Sequence, residues 1–163
     1  MNLIDPRISD IDFEKFMSYA LEEAELAGQS GEIPIGAVVV INNKVISRGR
    51  ARHNEQKSQL SHAELNAMLE GGKSLWTDYR KAILFTTVEP CPMCLGAAVM
   101  ADIPHIVFAL HDGLVQSTFS VNNNNYIKRH IKTYLGGVLE DRSIEIFKRY
   151  APDDLDYILS SNQ

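Results

Sequence analysis

Cysteine is scarce in this chain, with two residues among 163. That excludes a small scaffold stapled by disulfides and makes a reducing, cytoplasmic setting the expectation. The opening residues Met1-Asn2-Leu3-Ile4-Asp5-Pro6 have neither the basic nor the apolar stretch of a signal peptide, so none is expected. Long hydrophobic runs are missing too. The longest, from Ile33 to Ile41, contains Pro34 and Gly36 and falls far short of the ~20 residues of a spanning helix. No membrane association is expected. Positive charge is in deficit, with 16 basic against 21 acidic residues and a net charge of −5. A broad nucleic-acid footprint needs a basic face, so the balance argues against one, although a local patch is compatible with it. Internal repeats and Gly/Ser/Pro linkers are absent as well. With 45% hydrophobic and 23% charged residues, the chain reads as a single domain over 1–163, large enough to bury a core.

From Asp12 to Ala27 the apolar residues Phe13, Phe16, Met17, Ala20, Leu21, Ala24 and Ala27 recur every three or four positions, which predicts an amphipathic helix stopped near Gly28. Ala37 to Ile41 and Lys44 to Ser47 are β-rich and are separated by Asn42-Asn43, a pair suited to a tight hairpin turn. The polar run from Arg48 to Ser61 predicts a solvated loop. A helix is predicted from His62 to Leu69, ending at Gly71-Gly72, with 73–81 as a connection. Further strands are predicted at 82–87, His105 to Leu110 and Tyr134 to Leu139. Further helices are predicted after Pro92, over Tyr126 to Lys132 and over Ile144 to Tyr150, with a last turn or two at Leu155 to Leu159. Asn122 to Asn125 reads as a loop. Strands alternating with helices predict an α/β fold. The expected form is a three-layer α/β/α sandwich with a mixed, mostly parallel sheet of about five strands and an antiparallel hairpin at its edge.

Both cysteines lie in Thr87-Val88-Glu89-Pro90-Cys91-Pro92-Met93-Cys94, between a buried strand and a helix of small residues. Residues three apart share a helix face, so both sulfurs can aim at one point. A helix N-terminus also favours thiolates. A second helix in the same layer starts Ser61-His62-Ala63-Glu64. In such sheets ligands gather where strand C-termini meet helix N-termini, so His62 can add a nitrogen to the two sulfurs. One His and two Cys suit zinc and leave a fourth position for water. Glu64 is too near His62 in sequence to be a comfortable ligand and is well placed to carry protons for that water. Simpler readings compete. Ser61-x-x-Glu64 also fits a capping box. Cys-Pro-Met-Cys after a strand fits a thioredoxin-type redox pair. A structural zinc site could recruit His53 or His111 as its fourth ligand.

The combination of His-x-Glu and Pro-Cys-x-x-Cys at two helix starts is recognised as the signature of zinc-dependent nucleobase deaminases. The redox reading leaves His62 and Glu64 without a role, and the structural-zinc reading leaves Glu64 without one. The chain resembles the cytidine/deoxycytidylate deaminase superfamily over most of its length. Within it, the chain is most similar to the branch of tRNA adenosine, cytosine and guanine deaminases. That resemblance implies one zinc ion per chain, with a bound water or hydroxide, held by His62, Cys91 and Cys94. It implies hydrolytic removal of an exocyclic amino group as ammonia, with Glu64 as the catalytic proton carrier, and it implies a homodimer. It places substrate contacts at Ile35, Gly36 and Ala37, in the segment resembling a wall of the base pocket, at Glu89 and Pro90, and at Asp112.

Three departures bear on the substrate, one being that the Gly/Ala/Ser-rich stretch usual in tRNA deaminases after the Asp is here Gly113-Leu114-Val115-Gln116-Ser117-Thr118-Phe119. Relatives usually carry an Asn facing the base where this chain has Ala51, and Asn54 is the nearest Asn that could substitute for it. The segment 140–163 carries Glu140, Asp141, Glu145, Asp153, Asp154 and Asp156 against Arg142, Lys148 and Arg149, a balance that repels a phosphate backbone. The expected substrate is therefore a nucleobase, nucleoside or related small heterocycle of cytosine, guanine or adenine type. The alternative is a tRNA adenosine deaminase making inosine in an anticodon. Its phosphate track would need Arg48, Arg50, Arg52, Lys57, Lys128, Arg129 and Lys132. An inactive deaminase-like zinc-binding module is a weaker alternative, since such a module needs no proton carrier at Glu64.

Overall fold

The computed structural model describes residues 3–160; Met1 and Asn2 of the opening stretch lie outside them. The five strands are β1 (Gly36–Ile41), β2 (Lys44–Arg50), β3 (Ile83–Val88), β4 (His105–Leu110) and β5 (Thr133–Leu135). They form one sheet in the order β2-β1-β3-β4-β5. β1 is antiparallel to both of its neighbours, while β3, β4 and β5 are mutually parallel. Four strands therefore run one way and β1 runs against them, so the expected mixed sheet is present with the hairpin at its edge. The hairpin turn is made by Asn42 and Asn43, both left-handed at φ 52° and 60°, a conformation that asparagine tolerates and that matches strand twist.

Strand residues alternate between two helical layers. Ala37, Val39, Leu84, Ile106, Phe108 and Tyr134 face one cluster, which also contains Ala63, Ala67, Leu95, Ala98 and Val99. Those last five belong to α3 (Ala63–Asp78) and α4 (Pro92–Met100). Val38, Val40, Ile83, Phe85, Val107 and Leu135 face the other cluster, with Phe16, Met17, Ala20, Leu21, Ala24 and Ile146. These come from α1 (Phe13–Gln29) and α7 (Glu140–Tyr150). The sheet is thus buried on both faces, which is why its inner strands read as unbroken apolar runs. No described helix is long and apolar enough to cross a membrane.

Several boundaries differ from expectation. α3 does not end at Gly71-Gly72. Gly72 breaks the helix with φ 47°, ψ −126°, and the chain then resumes helical geometry to Asp78, because Leu75 returns to the core at 7% exposure. The last strand stops at Leu135 instead of Leu139. Gly136 there lies so close to the Phe108 ring that any side chain would collide with it, and Gly137 turns away at φ 86°. The polar run after Arg48 continues β2 to Arg50 and then forms the short helix α2 (His53–Gln56). The Asn-rich run ends α5 (Ser117–Asn123), and Asn124 caps α6 (Asn125–His130) through its side-chain oxygen. The expected turn or two near the end is a full helix, α8 (Pro152–Leu159), started by its proline.

Candidate metal centre and active site

β3 delivers the chain to the upper edge of the sheet, where Glu89 N–H still bonds the Leu110 carbonyl at 2.7 Å. Cys91 then sits at the N-cap of α4, Pro92 occupies the first helical position, and Cys94 falls in the first turn. α3 starts at the same edge with His62 as its N-cap residue, in extended geometry, and Glu64 in its first turn. Because α3 and α4 share one layer, their starts converge. His62 Nδ1 lies 3.6 Å from Cys91 Sγ and 3.5 Å from Cys94 Sγ.

Those separations suit zinc. Tetrahedral bonds of ~2.05 Å to nitrogen and ~2.3 Å to sulfur place N and S about 3.6 Å apart. The three ligand atoms all lie within 4.8 Å of one another. Nδ1 is the ring nitrogen that faces both sulfurs. Cys91 is held down to about 4, first by a hydrogen bond from the Cys94 thiol and then by His62, while Cys94 is pushed up by that same bond and by burial. His62 is raised, mainly by its bond to Cys91.

Glu64 is 4% exposed. Burial, the foremost cause, raises its pKa. The capping-box reading does not hold. Ser61 Oγ instead donates to Gln56 Oε1 at 2.9 Å and accepts from Asn66 Nδ2 at 3.1 Å, and His62, not Ser61, is the cap residue. A four-ligand structural site is not formed either, since among the described residues the cluster holds His62, Cys91 and Cys94 alone. His53 packs edge-on against the His62 ring with centroids 5.1 Å apart. His111 lies elsewhere, edge-on against Phe108 and 3.3 Å from Glu140.

The cluster opens into a cavity of about 640 Å³, the size of a small-molecule site. Of the residues expected at the substrate, Ile35, Glu89 and Asp112 line it, as do His62, Glu64 and Cys91. Gly36, Ala37, Pro90 and Asn54 are not among its lining residues. Gly36 N–H donates to Thr87 Oγ1 at 3.1 Å, and Ala37 is fully buried in β1. The Pro90 carbonyl accepts from Ser117 Oγ at 2.7 Å. Asn54 is exposed, with its amide on the Gly31 carbonyl and its backbone N–H on Glu32. The Glu32 carboxylate takes the Asn54 and Glu55 N–H groups at 3.0 and 2.9 Å, and that fastening draws Asn54 away from the cavity.

Ala51 lines the cavity where an Asn was expected, with His53 beside it. The remaining wall comes from Leu114 and Val115 after β4, and from Asp154, Tyr157 and Ile158 of α8. The sequence points to the segment after Asp112 and to the C-terminal segment as sources of substrate contacts, but not to these individual side chains. The polar, histidine-bearing run after Arg50 was a usable signal for His53. α8 reaches the cavity because Leu155 and Ile158 pack with Val88 and Leu110 at the strand ends.

A family model described as the cytidine and deoxycytidylate deaminase zinc-binding region matches residues 11–110. A tRNA-specific adenosine deaminase of Bacillus subtilis is 36% identical over 131 residues, covering 78% of this chain and 81% of its own. A solved tRNA:A34 deaminase, studied for A-to-I editing at the wobble position of transfer RNA, is 32% identical with a TM-score of 0.68. It covers 81% of this chain and 98% of its own. The guanine deaminase of Bacillus subtilis is 27% identical with a TM-score of 0.58, covering 75% and 73%.

Proposed function

This chain belongs to the cytidine and deoxycytidylate deaminase family, and from that premise we propose that it deaminates adenosine in a tRNA to inosine. That it is a zinc-dependent hydrolytic deaminase follows from the family and the metal triad. The finer reading, a tRNA adenosine, is supported by the adenosine-deaminating relatives, which align over more than three quarters of the chain. The observation that carries it is a buried carboxyl group, that of Glu64, beside an open three-ligand metal centre in a cavity roomy enough for a purine nucleoside.

When bound by His62, Cys91 and Cys94, zinc supplies a water acidified toward neutral pH. The chain's own groups do the rest. The apolar walls from Ile35, Val88, Leu114 and Val115 hold the ring and exclude bulk water. Glu64 accepts the first proton that water gives up and passes it to the ring nitrogen next to the reacting carbon; it then takes the second, from the hydroxyl now on that carbon, and delivers it to the departing amine. Water and the amino-substituted ring become a carbonyl-bearing ring and ammonia. We assign the Glu89 backbone, at the border of the cavity, to the departing amine, and Asp112 to the substrate's outer edge.

A second reading, a free nucleobase or nucleoside, is favoured by the charge around the mouth. Asp112 and Asp154 line the cavity. Three arginines required of a phosphate track are already engaged: Arg48 with Glu22 and Glu23, Arg50 with Glu23, and Arg52 with Glu55. Lys57, Lys128, Arg129 and Lys132 make no ion pair among the described residues and would have to carry the RNA backbone.

The deciding experiment gives the zinc-loaded protein an anticodon stem-loop with adenosine at the wobble position, and in parallel free adenine, guanine, cytosine and their nucleosides. Inosine in the stem-loop supports the first reading. Ammonia from a free base with an inert stem-loop replaces it with the second. We further infer a homodimer through the apolar surface of α3 and α4, where Leu69, Trp76 and Met100 are 72%, 82% and 72% exposed. Light scattering should give a dimeric mass that Trp76→Glu converts to a monomer; a monomeric parent protein refutes the assignment.

A further inference from the structure

Glu89 faces away from the chemistry it borders. Its carboxylate is buried at 5% exposure, and no cation pairs with it among the described ion pairs. Four donors converge on it instead. Oε1 accepts from Thr118 N–H at 2.9 Å, Thr118 Oγ1 at 2.9 Å and Tyr134 Oη at 3.2 Å. Oε2 accepts from Asp112 N–H at 3.1 Å. One donor, Asp112 N–H, belongs to the stretch between β4 and α5, two belong to Thr118 in the first turn of α5, and the fourth stands on β5.

That stretch builds one wall of the active-site cavity. Asp112, Leu114 and Val115 line it, and Asp112 Oδ1 in turn accepts from Leu114 N–H at 2.9 Å and Val115 N–H at 3.2 Å. A second clip is Ser117 Oγ on the Pro90 carbonyl at 2.7 Å. Both clips start from the two residues immediately before Cys91. The hydrogen-bond chain therefore runs from the metal loop through Glu89 to Asp112 and on to the side chains against the substrate.

We infer that Glu89 is a positioning residue that sets the 112–118 segment, the loop after β4 and the start of α5, and with it the substrate wall, in register with the metal loop. The inference rests on the reading of this cavity as the substrate site. Residue chemistry supports a carboxylate at this position. Four donors and no acceptor surround it, so only an acceptor-only group satisfies them all. A glutamine would turn its NH₂ toward a donor and leave that donor unpaired in a buried place.

The test uses full-length, zinc-loaded Glu89→Gln and the milder Thr118→Val, which removes one donor and leaves the carboxylate. Amide hydrogen exchange over 112–118 should accelerate by about tenfold or more in Glu89→Gln and less in Thr118→Val. Exchange over 92–100 and the zinc content should stay at parent values. On whichever substrate the parent turns over, KM should rise about fivefold or more while kcat stays within about threefold. The double variant should be no worse than Glu89→Gln alone. Unchanged exchange over 112–118 would overturn the inference. So would loss of zinc, or a fall in kcat at constant KM, since either places Glu89 with the metal loop instead of the substrate wall. A parent protein inert on every substrate refutes the functional reading separately, and the exchange result still decides the role of Glu89.

Discussion

Gly49 and Gly36 make a matched pair of perturbations. They stand on adjacent strands, Gly36 opposite Arg50 and Ala37 opposite Gly49, yet they face opposite layers. A Cβ at Gly49 would come within 3.0 Å of the Ala63 carbonyl oxygen and the Ala67 nitrogen, with Ala67 Cα at 2.9 Å. All three are backbone atoms of α3. A Cβ at Gly36 would collide with Ala20 and Ala24 backbone atoms of α1, with Glu23 Cβ at 2.8 Å. Backbone cannot rotate out of the way, so each Gly→Ala change must displace a helix by roughly 0.5–1 Å. Overpacking of that kind costs about 1–3 kcal/mol, so both variants should lose comparable thermal stability. Their effects on the metal should differ. The start of α3 carries His62 and Glu64, and metal–ligand distances tolerate only about 0.2 Å. Gly49→Ala should therefore weaken zinc binding by about 10–100-fold, the size of effect seen when a ligand loses its orienting support. Gly36→Ala moves a helix without ligands and should leave zinc affinity within about threefold. Chelator competition measures the affinity and thermal unfolding measures the stability. Equal zinc affinities in the two variants would refute the reasoning, because they would mean that the packing of α3 on β2 does not set the ligand geometry.

Other expectations are simpler to check. Glu64→Gln should retain one zinc per chain and lose about 10²–10⁴-fold in turnover; turnover at the parent rate would remove Glu64 from proton transfer. Cys91→Ala should bind no stoichiometric zinc by elemental analysis, and full occupancy in that variant would refute the triad. His105 is 3% exposed, and its Nδ1 lies 3.0 Å from Thr133 Oγ1. Burial lowers its pKa from 6.5 to about 4. The unfolded chain then binds the proton more tightly, so stability is complete above about pH 6.5 and falls as the pH drops toward 4, by up to about 3 kcal/mol. His105→Asn should flatten the melting temperature over that window; an unchanged slope would assign the acid sensitivity to other groups.

The sheet and its layers were legible in the sequence because both signals are local. Two-sided burial makes β1, β3 and β4 continuous apolar runs, and the asparagine pair marks the hairpin by its tolerance of positive φ. The end of β5 was read too far along because an apolar residue, Val138, follows Gly136-Gly137, and the collision of Gly136 with Phe108 is a long-range fact. Helix α3 was read too short because a glycine pair normally stops a helix. Here the burial of Leu75 outweighs that tendency.

At the active site, the sequence by itself determined the chemistry. Ligand type, the spacing of Cys91 and Cys94, and the place of His62 and Glu64 at a helix start are set by residues close together in the chain. Helix periodicity converts that spacing into direction. Tertiary structure alone decided which residues line the cavity. Asn54 looked available and is fastened outward by Glu32, while His53, Asp154 and Tyr157 reach the cavity from segments with no motif. Glu89 looked like a group for the substrate and turned its carboxylate to a loop more than twenty residues away. Metal ligation needs a few atoms at fixed short distances, and local geometry can guarantee those. A cavity wall is assembled from separate elements packed across strand ends, so its composition follows from packing and not from local sequence.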